Sequence, residues 1–258
     1  MNTMVSRTLS VHKEHEVLLK LEAAGLNEEL AQKIIDSKGN DLAAKAVRLI
    51  KNGGFESSTS QERARNIMGR NFFGVKESIK HFVNPSRANT TAMSKVPFTE
   101  EVLKLCKDTH ILVAVLPISI LDIRGKVDRK LFYSHKGSWY NQEDFAKDRG
   151  ETDWHLVRKT PVPDSFSKNW DEQQALLDTS EKIPSARVLI YTIIGQYLAT
   201  GERLFENIAL RTSSVDSGGD HISVDSFDQY GIGIDAGWDG SYGHDLGMSS
   251  SHSYEHLP

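Results

Sequence analysis

Four histidines, His221, His244, His252 and His256, lie among Asp and Ser near the end of this 258-residue chain. Imidazole beside carboxylate can hold a transition metal. Only His252 and His256 have the i, i+4 spacing that would put both rings on one face of a helix. Surface histidines without a metal are the expectation. A second constellation is His155 with Asp153, Arg158 and Lys159, a phosphate or nuclease chemistry in principle. On a strand, however, His155, Val157 and Lys159 share one face and Leu156 and Arg158 the other, which splits the basic groups. Cys106 is the single cysteine, so an internal disulfide is impossible. No Walker, Rossmann or serine-elbow pattern occurs. The residues left with chemistry to offer are those of a binding surface. Residues 212–258 contain no Lys, Arg or Asn and consist mostly of Ser, Gly, Asp, His and Tyr. Tyr gives large contact area at low entropic cost, and Ser and Gly adapt their hydrogen bonding.

These residues need elements to hold them. His221-Ile222-Ser223-Val224-Asp225 and Gly231-Ile232-Gly233-Ile234-Asp235 alternate as short strands with one buried face do. The apolar positions, among them Phe227, Trp238, Leu246 and Met248, argue for order over a polar tail. The candidate ligand-binding residues are therefore Ser223, Asp225, Gly233, Asp235, Trp238, Asp239, Gly240, Ser241, Tyr242, His244, Asp245, Ser249, Ser251 and His252. Trp238 and Tyr242 would be the aromatic anchors. No catalytic residue, metal or cofactor is expected. The acidic balance of the tail predicts a neutral or basic partner surface, on an unknown macromolecular ligand expected to be a protein.

Upstream, Val17, Leu18, Leu21, Leu30, Ile34, Ile35, Leu42, Val47 and Leu49 recur at helical spacing. Asn27 before Glu28 and Glu29 is a helix start. Asn40 or Asp41 would cap the next helix, and Lys51 with Gly53-Gly54 would close it. Residues 1–55 are thus a helical hairpin or bundle, and 56–109 a helical linker region packing on a main domain of residues 110–258. Within the linker, 62–83 reads as one amphipathic helix, and Thr99 caps another. The run Ile111 to Leu116 is a strand, and Ile118 to Ile123, Leu131 to Tyr133 and Ser138 to Tyr140 read as further strands. Asn141 is expected to cap a short helix through Lys147. Trp154 to Arg158 alternates as a strand. Ser167 would cap a helix over 168–177, a longer helix begins at Ile183-Pro184-Ser185 with the proline in its first turn and runs to about Ala199, and Ile208 to Arg211 leads into the tail. The class is α+β: a helical N-terminal region followed by a domain of short strands with two helices. Trp154, Trp170, Tyr191 and Leu210 are expected in its core.

The net charge of −4 supplies no general basic field, so nucleic acid is not an expected partner. The first residues lack the apolar core of a signal peptide, and no apolar run reaches transmembrane length. A reducing, cytoplasmic setting is the expectation.

Particular motifs sharpen the class. Lys168-Asn169-Trp170-Asp171-Glu172-Gln173-Gln174-Ala175 resembles the W-x-x-A helix of C-type-lectin folds of the formylglycine-generating-enzyme type. Ile183-Pro184-Ser185-Ala186 with Tyr191 is similar to that group's L-P-T-E-x-E-W-E-Y helix. Trp238 to Met248 resembles its closing N-x-x-x-x-I-G-F-R strand. The likeness covers residues 110–255. Within this group the tail best resembles the variable proteins of diversity-generating retroelements. Their last strands and loops are rewritten at adenines, mostly in Asn codons, which yields Ser, Asp, Gly, Tyr and His. The resemblance implies a hypervariable surface over residues 223–254 on a fixed scaffold. It does not imply the group's other activities. The enzymes use paired cysteines, absent here, and the calcium-binding lectins use E-P-N and W-N-D ligands, which this chain lacks. A wider likeness, to proteins of small-genome candidate-phylum bacteria, rests on Asp108 to Ala114, Ser119 to Gly125, Trp154 to Lys159, Tyr191 to Gly195 and Ala199 to Asn207, and brings no activity with it. Two alternatives stand beside the binding reading: a hydrolase or nuclease-like enzyme using His155, and an adaptor working through the N-terminal helices.

Overall fold

The computed structural model describes residues 10–37, 42–43, 46–47, 50, 58–133, 138–237, 239–240 and 242–252. The chain divides into two compact units, Met1–Ser57 and Ser58–Pro258. It is an α+β protein, with helices first and several small sheets after them.

In the first unit, helices span Val11–Ala23 and Glu28–Ile35. Ser10 and Asn27 cap them by accepting from the Lys13 and Leu30 amides at 3.3 and 2.9 Å. Gly25, at φ +103°, makes the turn between them. Neither helix buries a residue completely. The predicted caps Asn40 and Asp41 and the stop at Lys51 and Gly53-Gly54 lie outside the described residues.

The second unit is built around strand β4, His110–Val115, all six residues of which are buried. The period of two sends Ile111, Val113 and Val115 into one apolar cluster and Leu112 and Ala114 into another. A strand covered on both faces has to be apolar throughout, which is why this run does not alternate. The sheet order is β2 (Phe72–Phe73), β4, β5 (Asp153–Arg158), β11 (Ser251–His252) and β6 (Glu181–Lys182). Only β2 is parallel to its neighbour. A second sheet orders β10 (Leu246–Met248), β7 (Ala209–Val215), β8 (His221–Asp228) and β9 (Gly231–Gly237), with β10 parallel to β7. Two short strands, β1 (Thr59–Ser60) and β3 (Lys95–Val96), pair separately.

The helix Ala186–Thr200 fills the first cluster. It is buried from Ala186 to Gln196, is capped by Ser185, and stops at the left-handed Gly201. Tyr191 meets Phe73 edge-on and packs against Phe82. No described helix is long and apolar enough to cross a membrane.

Several expected elements differ. Residues 62–83 are not one helix. Gln61–Met68 ends at Gly69, whose φ of +55° breaks the ladder, Phe72 and Phe73 pair with Leu112 and Val113, and a new helix runs Val75–His81. Residues 118–123 are not a strand. Ser119 and Asp122 form a reciprocal capping box that starts a helix over Ile120–Lys126, and this local signal overrides the β-branched composition. The expected strands at 131–133 and 138–140 are 3-10 turns at Arg129–Leu131 and Trp139–Asn141, with Phe132 making a single bridge to Ile232. Glu143, not Asn141, precedes the helix Asp144–Lys147. Asn169, not Ser167, caps Trp170–Gln174, because Ser167 is held at φ +53°.

Candidate binding surface

The turn after β9 is tied to the segment before the Trp170 helix. The Trp170 amide donates to the Asp239 carbonyl at 3.0 Å, the Ser167 amide to Gly243 at 3.2 Å, and the Ala209 amide to Asp245 at 2.9 Å. Side chains add two ties. Asn169 Nδ2 donates to the Tyr242 hydroxyl at 3.0 Å, and Ser167 Oγ meets His244 Nδ1 at 3.1 Å. The left-handed Asp164 and Ser167 bend this holding segment. Non-glycine residues keep such angles only where surrounding contacts enforce them. Tyr242 is nevertheless 57% exposed, and His244 and Asp245 are exposed. The backbone is fixed while the side chains face solvent.

Beside this loop His221 Nδ1 lies 2.8 and 2.9 Å from the two carboxylate oxygens of Asp239. Its ring stacks on Trp170 with centroids 3.5 Å apart and planes 20° apart. Trp170 is half-buried rather than a core residue, whereas Trp154, Tyr191 and Leu210 are in the core as expected. Behind it the buried Arg211 donates to the Lys168 carbonyl and to Gln173 Oε1, at 3.1 and 3.0 Å. Burial lowers the pKa of Arg211, and Asp239 partly offsets this.

The acidic residues gather around two hollows, the larger of which reaches Asp245 of the loop after β9. Hollows of about 430 and 200 Å³ share Asp225, Ser226 and Asp228. Asp245 and Glu206 line the larger, Tyr230 and Gly233 the smaller, and among the described residues neither lining includes a Lys or Arg. Burial, then the charges of Asp235 and Asp245, raise the Asp225 carboxyl to about 6. Gly233 is required beside it, since a Cβ there would lie 2.7 Å from Asp225 Cβ. The arrangement attracts a cationic group and repels an anionic one.

The expected site residues therefore separate. Asp225, Asp235, Asp239, Gly240, Tyr242, His244 and Asp245 are exposed or half-buried. Ser223, Gly233, Ser249 and Ser251 are buried, with Gly233 lining the smaller acidic hollow and Ser251 the hollow beside His155. Ser223 donates to the Asp235 carbonyl at 3.4 Å and Ser249 to the Arg211 carbonyl at 2.7 Å, so these hydroxyls serve the fold. His252 is half-buried, with Nδ1 3.0 Å from the Ser180 carbonyl. Trp238, Ser241 and His256 lie outside the described residues. Ser167, Asn169 and Trp170 hold the loop. A left-handed serine carries no sequence signal, so Ser167 could not have been chosen in advance.

His155 faces a different hollow, of about 320 Å³, with Asp153, Lys182, Ser185 and Arg187. Arg158 turns away to Glu181 at 3.1 Å, and Lys159 to Glu202 at 2.7 Å. Burial, then Arg187 and Lys182, push the His155 imidazole down to about 4. A base that weak is poorly matched to proton abstraction near neutral pH.

Compared with protein-family models, with curated proteins and with solved structures, the chain matches none.

Proposed function

We propose that this chain is a non-catalytic binding protein, a C-type-lectin-like scaffold that displays a hypervariable surface in the manner of diversity-generating retroelement proteins. In this reading it acts in the cytoplasm on a protein partner whose contact face is basic or neutral. The surface comprises Asp225, Asp235, Asp239, Tyr242, His244 and Asp245. One observation carries the reading: backbone hydrogen bonds fasten the loop after β9, while Tyr242, His244 and Asp245 remain solvent-exposed, the first two with single side-chain ties to Asn169 and Ser167. A surface that must change its residues without losing its shape needs this separation. Tyr242 would be the anchor, because a rigid amphipathic ring gains contact area at small entropic cost.

The encoding locus tests the origin. A near-copy of the last segment that differs almost only at adenines, close to a reverse-transcriptase gene, is expected, and its absence overturns the retroelement assignment. A displayed library randomised at Asp235, Tyr242, His244 and Asp245 tests the binding surface. Most members should fold, and selection on basic protein baits should enrich particular sequences. General loss of folding would sink the reading.

A further inference from the structure

Cys106, His110 and His252 come from three separate segments and converge. Cys106 ends the helix Glu100–Cys106, His110 opens β4, and His252 lies in β11. β4 and β11 flank β5, with Leu112 and His252 both opposite Leu156. Residues directly opposite share a face, and His110 has the parity of Leu112, so both rings emerge on one side of the sheet. Their centroids are 5.2 Å apart. The Cys106 sulfur and one nitrogen of each ring lie within 4.8 Å of one another.

Hydrogen bonds engage one nitrogen of each ring. His252 Nδ1 is 3.0 Å from the Ser180 carbonyl, which can only accept, so Nδ1 carries the proton and Nε2 a bare lone pair. His110 Nδ1 is 2.8 Å from the Thr109 hydroxyl, which itself donates to the Cys106 carbonyl at 3.4 Å. With its own proton on that carbonyl the hydroxyl accepts from Nδ1–H, the tautomer that leaves Nε2 of His110 bare. His110 is only 5% exposed, and its Nε2 has no hydrogen-bond partner. Buried polar atoms are rarely left unmatched without a reason.

We propose that Cys106, His110 and His252 bind a transition-metal ion, Zn²⁺ foremost, through the cysteine sulfur and the two Nε2 atoms. One sulfur and two imidazoles suit a borderline-soft ion and are the wrong donors for Mg²⁺ or Ca²⁺. Three protein ligands leave a fourth tetrahedral position for water. On binding, the thiol proton passes to solvent as the sulfur–metal bond forms. Thr109 and the Ser180 carbonyl hold the two rings through Nδ1, as second partners of metal-bound histidines do. The neighbouring cation Arg158 is paired with Glu181 at 3.1 Å, so this flank adds little net charge. The ion would fasten β11 to the start of β4, independently of any partner held by the exposed loop.

The test uses the tag-free full chain, stripped with chelator and reloaded with Zn²⁺ or Co²⁺ alone. One ion per chain should survive gel filtration. The Co²⁺ form should show a thiolate-to-cobalt charge-transfer band and the visible bands of a four-coordinate ion. Cys106→Ser should lose the charge-transfer band with its circular dichroism unchanged. His252→Ala, at the half-exposed ligand, and Thr109→Val, at a positioning residue, should each weaken Zn²⁺ binding by about tenfold or more. Failure of the folded wild-type chain to retain an ion, or Zn²⁺ affinity unchanged in both Cys106→Ser and His252→Ala, would overturn the assignment.

Discussion

Residues 242–245 and 246–252 are consecutive, yet they live in opposite environments. The first four residues keep Tyr242, His244 and Asp245 in solvent. The next seven thread inward, with Gly247 to Ser251 all buried. The difference lies in the backbone. Backbone hydrogen bonds to Ser167, Trp170 and Ala209 fix the loop's path, and its side chains stay exposed, Tyr242 and His244 with one tie each to Asn169 and Ser167. The later residues supply β10 to one sheet and β11 to the other, so their side chains fall between covered faces. Small residues are needed there for packing. A Cβ on Gly247 would come within 3.0 Å of Pro161 Cβ and 3.2 Å of Ser165 Oγ. Glycine and serine thus serve close approach in the second segment.

The sharpest way to break this comparison is a truncation on the buried side. Met248 is fully buried. Met248→Ala should cost about 3 kcal/mol of stability, read from denaturant midpoints at constant m-value. A cost within error of zero would mean that β10 does not bury this side chain. Ser250→Ala should come next. Its hydroxyl donates to Glu181 Oε1 at 2.9 Å and meets Arg158 Nε at 3.3 Å. Removing it should cost about 1.5 kcal/mol, since it deprives a partly buried ion pair of its bridging group.

Much of the scaffold was readable because its signals are local. The cap residues Asn27 and Thr99, the uniform run of β4 and the alternation of β5, β8 and β9 all declare themselves within a few residues, whereas the helix expected from Ile183 starts only after its cap Ser185. The errors fall where one local signal overrode another, as at Ser119, or where a backbone angle decided the outcome, as at Gly69 and Ser167. The surface was only partly legible. Composition marked Tyr242 and Asp225, but Ser223, Ser249 and Ser251 have the same composition and are buried, because pairing between distant strands places them. The meeting of Cys106, His110 and His252 has no sequence signature, since 141 residues of chain separate His110 from His252 across the order of a sheet.

Asp225 sits between the two environments, and its titration tests that position. Its pKa is raised from 3.8 to about 6, so between those values the folded chain binds more protons than the unfolded chain. By linkage, its contribution to stability falls as pH rises from about 4 to about 6, and stays at the lower value above that window. Asp225→Asn removes the dependence. The variant should match the wild type near pH 4 and exceed it near pH 7 by about 1 kcal/mol, after allowance for solvent screening. Parallel stability–pH curves for the two proteins would show that Asp225 is as solvated as a free side chain.

The smallest expected effect carries the most meaning. Tyr242→Ala removes a ring that is 57% exposed and one hydrogen bond, from Asn169. Exposed positions away from caps and cores usually change stability by less than about 0.5 kcal/mol, so the melt should barely move. His244→Ala and Asp245→Ala should behave alike, because the ties at Gly243 and Asp245 run through the backbone and survive the substitutions. Against a partner selected on this surface, Tyr242→Ala should instead cost about 2 kcal/mol of binding, as loss of a central aromatic anchor does. That split, stability kept and affinity lost, separates a displayed surface from packing. If Tyr242→Ala destabilises the chain as strongly as Met248→Ala, the loop is part of the core, and freedom to vary at residues 242–245 is incompatible with the fold.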